Sequence, residues 1–475
     1  MENTLIINHA DNVAVALKDV ESGGQKIPAG HKVATKDIAK GENVIKYGSP
    51  IGHATSPIKA GDFVHTHNLK TNLSGILEYA YTPEKVTDIP ATPSTFMGYE
   101  RTDGQVGIRN EIWIVNTVGC VNKIAEKLCK LSGEDDVFTF VHPYGCSQLG
   151  DDHDYTRKIL RNMVKHPNAA GVLVLGLGCE NNHIDDFKKL LDTWDDKRVK
   201  FLNTQDVTDE IEEGLKLIRE LKAYANTFER KAIPVRKLVV GLKCGGSDGF
   251  SGVTANVLVG KFSDYLIAQG GISVLTEVPE MFGAETLLMN RAKDVGIFDK
   301  TVSLVNDFKN YFIRHNQEIY ENPSPGNKEG GISTLEEKSL GCTQKGGTSY
   351  VTDVLNYGET CKVPGLNLLQ GPGNDIVAVT NLMAAGVHIV LFTTGRGTPL
   401  GAPVPTVKIS SNTKLSQVKS HWIDFDAGQL LDGVTPDNLA QDFVNYIVEV
   451  ASGKQTRNEQ NDYREISIFK DGVTL

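Results

Sequence analysis

The sequence lacks any apolar run that approaches the length of a membrane span. Residues 1–4 have neither the basic start nor the apolar stretch of a secretory signal. We therefore expect a cytoplasmic protein that does not associate with membranes.

Positive charge is also scarce. Lysine and arginine number 49 against 59 aspartates and glutamates, and the formal net charge is -10. This balance argues against a nucleic-acid partner or an anionic membrane surface. An anionic small-molecule substrate would need a local basic pocket that works against the overall field.

Standard nucleotide and zinc signatures are missing. The chain has no Gly-x-x-x-x-Gly-Lys-Ser/Thr loop and no Gly-x-Gly-x-x-Gly junction with a trailing acid. No Cys-x-x-Cys pair occurs, which argues against a zinc ribbon. The seven cysteines are scattered and odd in number, so we expect reduced thiols and no disulfide framework.

The 475 residues divide by pattern into four parts. Short alternating segments between turn signals predict a β-rich unit at 1–81, and prolines predict a linker at 82–104. Repeated strand and helix patterns then predict an α/β domain at 105–234 and a second, catalytic α/β domain at 235–475. The expected fold class is therefore α/β, with mostly parallel sheets and helices on both sheet faces.

Several elements are predicted individually from periodicity. A helix should begin after Thr435, which serves as its N-cap. Segment 322–331 is too rich in Pro, Gly and Asn to form regular structure. Strands are expected at 112–117, 137–141, 171–175, 199–202, 272–275, 388–392 and 465–469. Helices are expected at 124–131, 154–164, 184–194 and 210–224.

A glycine-rich loop at residues 241–252 stands out. It follows an apolar run, precedes a helical pattern, and surrounds reactive side chains with five glycines. A strand that enters such a loop and then a helix commonly builds an anion or substrate site, although a plain flexible turn is the alternative. The loop contains Lys243, Cys244, Gly245, Gly246, Ser247 and Asp248.

Four cysteines lie beside or close to glycines just past the ends of predicted strands, namely Cys120, Cys146, Cys179 and Cys244. Open α/β sheets bind ligands at this edge. The alternative is packing, because tight turns require small residues. In the β-rich unit, His65 and His67 are spaced to share one face of a strand, where they would suit a metal; two surface histidines are equally compatible.

Charged groups in the other loops suggest a chemistry. Glu277 and Glu280 follow a predicted strand, although Glu280 also suits a helix N-terminus, and Lys345 and Arg396 lie in glycine-rich loops. Cations among backbone amides suit a carboxylate, and a metal with a nearby base suits proton abstraction beside it. The residues alone predict a metal-assisted lyase or isomerase acting on a small anion.

Five blocks of sequence resemble the altronate/galactarate dehydratase family, and the N-terminal unit resembles its SAF domain. The blocks are residues 98–110, 142–148, 241–252, 276–280 and 395–397. The resemblance covers essentially the whole chain. It implies a hydro-lyase that converts D-altronate to 2-dehydro-3-deoxy-D-gluconate by C2 proton abstraction and loss of the 3-hydroxyl.

The resemblance also implies Fe²⁺ or Mn²⁺ as cofactor, and we expect the protein to form a homo-oligomer, namely a dimer. We assign Lys243 or Glu277 as base, and Asp248 and Glu280 to leaving-group protonation or metal ligation. Substrate binding is assigned to Lys345, Arg396, Gly245, Gly246 and Ser247, and metal binding to His65, His67, Cys146 and Cys244. Alternatives are a galactarate or other aldarate or aldonate dehydratase, an iron–sulfur hydro-lyase with three strand-end cysteines, and a non-catalytic sugar-acid sensor.

Overall fold

The computed structural model describes residues 3–87 and 89–475. Residues 1 and 2, which begin the predicted β-rich unit, and residue 88 of the predicted linker lie outside the described residues. Among the described helices, none is both long and apolar enough to cross a membrane.

The N-terminal unit consists of short antiparallel strands around a small apolar core. The strands pair in three sheets, in the orders β1-β2-β5-β8, β3-β4 and β6-β7-β9. They are β1 Thr4–Leu5, β2 Val13–Ala16, β3 Val20–Ser22, β4 Gln25–Ile27, β5 Lys32–Ala34, β6 Asn43–Lys46, β7 Ser49–Ala54, β8 Phe63–Val64 and β9 Leu69–Lys70.

The prediction that His65 and His67 lie on a β-strand is wrong. Strand β8 ends at Val64, and the next residues form a turn. Asn68 closes this turn, because its backbone N–H donates to the His65 carbonyl at 3.0 Å and its side-chain oxygen accepts from the His65 N–H at 3.0 Å. The two imidazoles therefore do not share one face of a strand.

The middle part of the chain forms a parallel sheet in the order β13-β12-β14-β15, beside an antiparallel sheet β11-β10-β16. Its elements are β10 Thr95–Glu100, β11 Val106–Gly107, β12 Glu111–Asn116, α1 Asn122–Ser132, β13 Val137–Thr139, α2 Gly150–Lys165, β14 Ala169–Gly176, α3 Ile184–Leu191, β15 Val199–Asn203, α4 Glu210–Ala225 and β16 Arg230–Pro234.

The remaining part contains a seven-stranded parallel sheet in the order β19-β20-β18-β17-β21-β22-β23. Its elements are β17 Val239–Cys244, α5 Ala255–Ala268, β18 Ile272–Leu275, α6 Glu285–Met289, α7 Val295–Arg314, α8 Pro325–Glu329, α9 Leu335–Cys342, β19 Val351–Leu355, β20 Gly365–Leu369, α10 Asp375–Ala384, β21 Ile389–Thr394, β22 Thr406–Ser410, α11 Thr413–Val418, β23 Phe425–Asp426, α12 Pro436–Ala451 and α13 Arg457–Gln460.

Both parallel sheets are covered on both faces, which confirms the predicted fold class. In β21, Ile389 and Leu391 pack into one apolar cluster with α5 and α12, whereas Val390 and Phe392 pack into another with α2 and α10. Burial on both faces explains why these strands are continuous apolar runs. The helices α2 and α10 pack against each other between the two sheets.

Two predictions for irregular or terminal segments are wrong. Segment 322–331 contains the short helix α8, whose capping box joins Ser324 and Asn327 around Pro325. Segment 465–469 is not a strand: the Ser467 N–H donates to the Thr380 hydroxyl at 3.0 Å. Residues in this segment alternate between buried and more exposed because Ile466 and Ile468 pack into the apolar cluster around α10, not because the segment pairs in a sheet.

Candidate functional site

The main cluster of charged and thiol groups lies at the carboxyl ends of β17 and β18. Lys243 and Cys244 end β17, and Glu277 lies two residues after the end of β18. Glu277 has a positive φ of 69°, a left-handed conformation that costs a non-glycine residue about 1–3 kcal/mol. Such a strained conformation persists where the surrounding structure fixes it. Here the Glu277 carboxylate is held by the Lys243 ammonium group and the Cys244 backbone N–H.

Lys243 is a fully buried cation with three acceptors. Its ammonium group donates to Glu277, to Asp375 Oδ1 at 2.7 Å and to the Cys244 carbonyl at 2.5 Å. Burial opposes the charge, but the Glu277 and Asp375 carboxylates prevail and raise the pKa of Lys243 well above its ordinary value. Lys243 is therefore protonated at neutral pH.

Two thiols and a carboxylate meet beside this lysine. Cys244 Sγ lies 3.4 Å from Cys342 Sγ, and Glu280 Oε2 accepts from these thiols at 3.0 and 3.3 Å. Sulfur and oxygen atoms of the three residues all lie within 4.8 Å of one another, and all three residues are buried. We call Lys243, Cys244, Glu277, Glu280, Cys342 and Lys345 the lysine–thiol centre.

Further cations balance the acids of this centre. Lys345 Nζ donates to Cys244 Sγ at 2.8 Å and lies 3.7 Å from Glu277 Oε2. Lys338 Nζ lies 2.8 Å from Glu280 Oε1. Burial opposes ionisation of Glu280, but Lys338, Lys243 and Lys345 lower its pKa far below the usual range. Glu280 is therefore an ionised carboxylate beside two thiols.

This donor set fits a transition-metal ion. Thiolate ligands suit soft metals such as zinc and the iron of iron–sulfur clusters, whereas carboxylate, carbonyl and water oxygens suit Mn²⁺. The residues that would hold the ion are Cys244, Glu280 and Cys342, because their ligand atoms already converge. The structure therefore supports a metal site here without identifying the metal.

The predicted residues of the glycine-rich loop lie around this centre in different roles. Gly245 lies against Asp375, since a Cβ at Gly245 would come within 2.7 Å of Asp375 Oδ2. Gly246 has a φ of +62°, and its carbonyl accepts from the Arg396 N–H at 3.0 Å. The buried hydroxyl of Ser247 has no hydrogen-bond partner among the described residues.

Asp248 is engaged in holding the loop. Its Oδ1 accepts from the Ser251 N–H at 3.0 Å and from the Ser411 hydroxyl at 2.8 Å, and its Oδ2 accepts from Asn412 at 3.1 Å. With these bonds made, Asp248 is a positioning group in this structure. It is not part of the group of converging metal ligands.

Arg396 lies at the exposed side of the loop. Its guanidinium donates to the Gly326 carbonyl and to Glu329, both at 3.0 Å. The Arg396 and Glu329 side chains are 47% and 69% exposed, so their ion pair is weak. A carboxylate ligand can therefore compete for this guanidinium.

The structure does not bring His65, His67 and Cys146 into the lysine–thiol centre. His65 Nδ1 lies 2.8 Å from the Ser333 hydroxyl, and both imidazoles pack around Phe63. Burial, with Lys32 nearby, lowers the pKa of His65 to about 4. Cys146 is exposed in the loop after β13. Of the four residues assigned to metal binding, Cys244 lies in the converging group, and it is joined there by Glu280, which was assigned to protonation or metal ligation.

The sequence analysis assigned no role in the site to Cys342, Lys338 or Asp375. Cys342 ends α9 only three residues before Lys345, so a second glycine-rich loop with a thiol and a cation was a usable signal. Asp375 begins α10 directly after a glycine-rich segment and reaches Lys243. Its side chain is 37% exposed, compared with 1% for Glu277.

The N-terminal unit is held against this part of the chain by a buried ionic triad. Glu337 lies 2.8 Å from both Lys32 and Lys46, and the three side chains are at most 1% exposed. Although burial opposes ionisation, the two lysines lower the pKa of Glu337 from its ordinary 4.5 to about 2. Burial lowers the pKa of Lys32 to about 8, since Lys46 competes for the same carboxylate.

We expect Glu337→Gln to lower the free energy of unfolding by about 3–5 kcal/mol, because it leaves buried lysines without a counter-charge. Denaturant unfolding at neutral pH measures this loss, with the exposed Asp19→Asn as a control that should not change stability. The wild-type contribution of Glu337 is present above pH 4.5 and is lost as the pH falls towards 2. A Glu337→Gln protein as stable as wild type would contradict the triad's role.

Family models match almost the whole chain. The model described as D-galactarate/Altronate dehydratase, C-terminal matches residues 235–474. The model for the second domain of D-galactarate dehydratase/Altronate hydrolase matches residues 98–226, and the Altronate/galactarate dehydratase SAF domain matches residues 2–72.

Curated relatives agree with these matches. The chain is 54% identical to the altronate dehydratase of Bacillus subtilis, with 100% of each chain covered. It is 55% identical to the altronate dehydratase of Escherichia coli over 99% of each chain. It is 33% identical to the galactarate dehydratase (L-threo-forming) of Escherichia coli, with 94% of this chain and 92% of that protein covered.

Proposed function

The chain belongs to the D-galactarate/altronate dehydratase family and is a hydro-lyase, and we propose that it dehydrates D-altronate at the lysine–thiol centre. The product is 2-dehydro-3-deoxy-D-gluconate. The observation that carries the location is the convergence of Lys243, Glu277 and Lys345 with three metal-ligand side chains at one strand edge. We propose D-altronate as the substrate and not galactarate, because the relatives at 54% and 55% identity are named altronate dehydratase.

The reaction needs a bound carboxylate, a base for C2, a charge to stabilise the resulting enediolate, and a proton for the 3-hydroxyl, which leaves as water. Arg396 binds the substrate carboxylate at the exposed side of the loop, assisted by the backbone amides beside Gly245 and Gly246. Lys345 lies deeper, against Cys244 and Glu277, and supplies positive charge to the centre.

Asp375 is the group that we assign as the base. It is the carboxylate of this cluster with substantial exposure, so a substrate can reach it, whereas both Glu277 oxygens are engaged by buried donors. Lys243, which is protonated, stabilises the negative charge that develops when C2 loses its proton, and it lies 2.7 Å from the Asp375 carboxylate. Glu277 holds Lys243 in place.

Fe²⁺ is the proposed cofactor, held by Cys244, Glu280 and Cys342. When bound, such an ion acts as a Lewis acid that polarises substrate oxygens. Lys338 keeps Glu280 ionised and therefore suited to ligation. Ser247, whose hydroxyl has no partner among the described residues, is the proposed contact for a substrate hydroxyl. A cytoplasmic location and a homodimer remain predictions.

A substrate screen tests the function directly. Aldonates and aldarates are incubated with the protein, with and without Fe²⁺ or Mn²⁺, and 2-keto-3-deoxy products are measured. We expect D-altronate to be the preferred substrate and Fe²⁺ the better activator, because two thiolates suit iron more than manganese. If galactarate is the preferred substrate, the protein is a galactarate dehydratase and not an altronate dehydratase. No product from any sugar acid would favour a binding protein.

A further inference from the structure

We infer that Cys120, Cys146 and Cys179 hold an iron–sulfur cluster of the [4Fe–4S] type, at a site separate from the lysine–thiol centre. All three thiols are free and exposed. Free cysteine is usually among the most buried residue types. Three exposed thiols in one domain therefore need an explanation that packing does not provide. We call this group the three-thiol edge.

The topology places the three thiols at one edge of one sheet. Cys120 follows β12, Cys146 follows β13 and Cys179 follows β14. The sheet order β13-β12-β14 makes these neighbouring strands, and all of them are parallel. Adjacent strands lie about 4.8 Å apart, so the three loops emerge within about 10 Å of one another.

Hydrogen bonds join the three loops directly. The Gly119 N–H donates to the Tyr144 carbonyl at 2.8 Å, which ties the Cys120 loop to the Cys146 loop. The Asn182 N–H donates to the Gly145 carbonyl at 3.0 Å, which ties the Cys179 loop to the Cys146 loop. The Asn182 side chain also donates to the Thr117 carbonyl at 3.1 Å. The three thiols are thus carried on one connected surface.

The electrostatic surroundings suit an anionic group. Each thiol lies a few residues before the start of a helix: Cys120 before α1, Cys146 before α2 and Cys179 before α3. The amino ends of helices carry partial positive charge and stabilise anions. A helix start close to each thiol would stabilise the net negative charge of a cluster that the thiols bind.

Buried polar atoms in the same loops lack partners. The side-chain nitrogen of Gln148 and the side-chain oxygen of Asn182 have no hydrogen-bond partner among the described residues. Gln148 is 4% exposed and Asn182 is 0% exposed. Unpaired buried amides are uncommon, and a bound ion, a water or a redox role is a recognised explanation for them. Gln205 already donates to Cys179 Sγ at 3.6 Å, a contact typical of hydrogen bonds that tune cluster sulfurs.

The spacing favours a cluster over a single ion. Tetrahedral zinc holds thiolate sulfurs about 3.8 Å apart, as its 2.3 Å bonds require. The Sγ atoms of Cys120, Cys146 and Cys179 do not all lie within 4.8 Å of one another, unlike the ligand atoms of Cys244, Glu280 and Cys342. A cluster, whose thiolates bind different iron atoms, spans the wider separation. Three protein ligands leave one iron without a protein ligand.

The test is iron and acid-labile sulfide analysis of the full-length protein, purified and reconstituted without oxygen. We expect visible absorption, four acid-labile sulfides per chain, and four irons per chain in addition to the Fe²⁺ of the lysine–thiol centre. Cys120→Ser, Cys146→Ser and Cys179→Ser should each lose the sulfide and the absorption. Cys129→Ser and Cys361→Ser, which change half-buried thiols outside these loops, should keep both.

Each other result overturns the inference. Reconstituted wild type without sulfide, or with zinc as its only metal at this edge, would exclude a cluster. Unchanged sulfide in the three variants would place a cluster elsewhere. Circular dichroism shows whether the variants fold. In addition, thiol-reagent titration of wild type should show three thiols protected after reconstitution and reactive before it, whereas equal reactivity would contradict the assignment. Neither readout depends on D-altronate turnover.

Discussion

Asp375→Asn is expected to slow D-altronate dehydration by about 10²- to 10⁴-fold in kcat, the range that a positioned general base contributes. The substitution keeps the size of the side chain and the contact with Lys243, but an amide cannot take the C2 proton. Because the side chain is 37% exposed at the first turn of α10, the fold should be retained. Steady-state kinetics with Fe²⁺ measure the effect.

The matched control is Asp186→Asn, which changes an exposed carboxylate on α3 that pairs with Lys189. It should leave kcat unchanged. If Asp375→Asn raises KM and leaves kcat near the wild-type value, Asp375 binds the substrate and does not act as the base. In that case the buried Glu277 would become the remaining carboxylate for this role.

Cys342→Ser is expected to weaken Fe²⁺ binding by at least about 10²-fold. Mutation of groups that only orient a metal ligand already lowers metal affinity 10- to 100-fold. Cys342 is itself a proposed ligand, so its loss should lower the affinity at least as much. The thiol lies 3.4 Å from Cys244 Sγ and 3.3 Å from Glu280 Oε2, so its loss removes one of three converging donors. Activity should fall with the bound iron and recover partly at high Fe²⁺.

Fe²⁺ titration followed by metal analysis of the separated protein gives the affinity. Cys361→Ser is the control, because its thiol donates to the Ala385 carbonyl at 2.9 Å and does not belong to the converging group. Wild-type affinity in Cys342→Ser would mean that the metal, if required, is held by other residues. The position of the centre would then need revision.

Much of the fold follows from local pattern. The strand predicted at 272–275 is Ile272–Leu275, and the closing helix begins at Pro436 after Thr435 as predicted. These elements are specified by apolar runs and caps that the sequence displays directly. The domain boundaries at residues 81, 104 and 234 remain predictions.

The site was harder to predict because its residues come from distant parts of the chain. Lys243 and Glu277 were predicted together, since β17 and β18 are consecutive parallel strands. Cys342 follows Cys244 by 98 positions, and no local pattern shows that the two sulfurs meet. The error at His65 and His67 has a local cause: Asn68 closes a turn where alternation alone predicted a strand.

The central claim is that the lysine–thiol centre carries out the dehydration, and turnover of D-altronate by iron-loaded Lys243→Met tests it most directly. Methionine keeps the volume of the side chain and removes the charge that stabilises the enediolate, which is worth about 10²- to 10³-fold in kcat. Lys261→Met, which changes an exposed lysine on α5, is the control. We predict at least a 10²-fold loss in Lys243→Met with iron still bound. A rate near that of wild type would contradict the account.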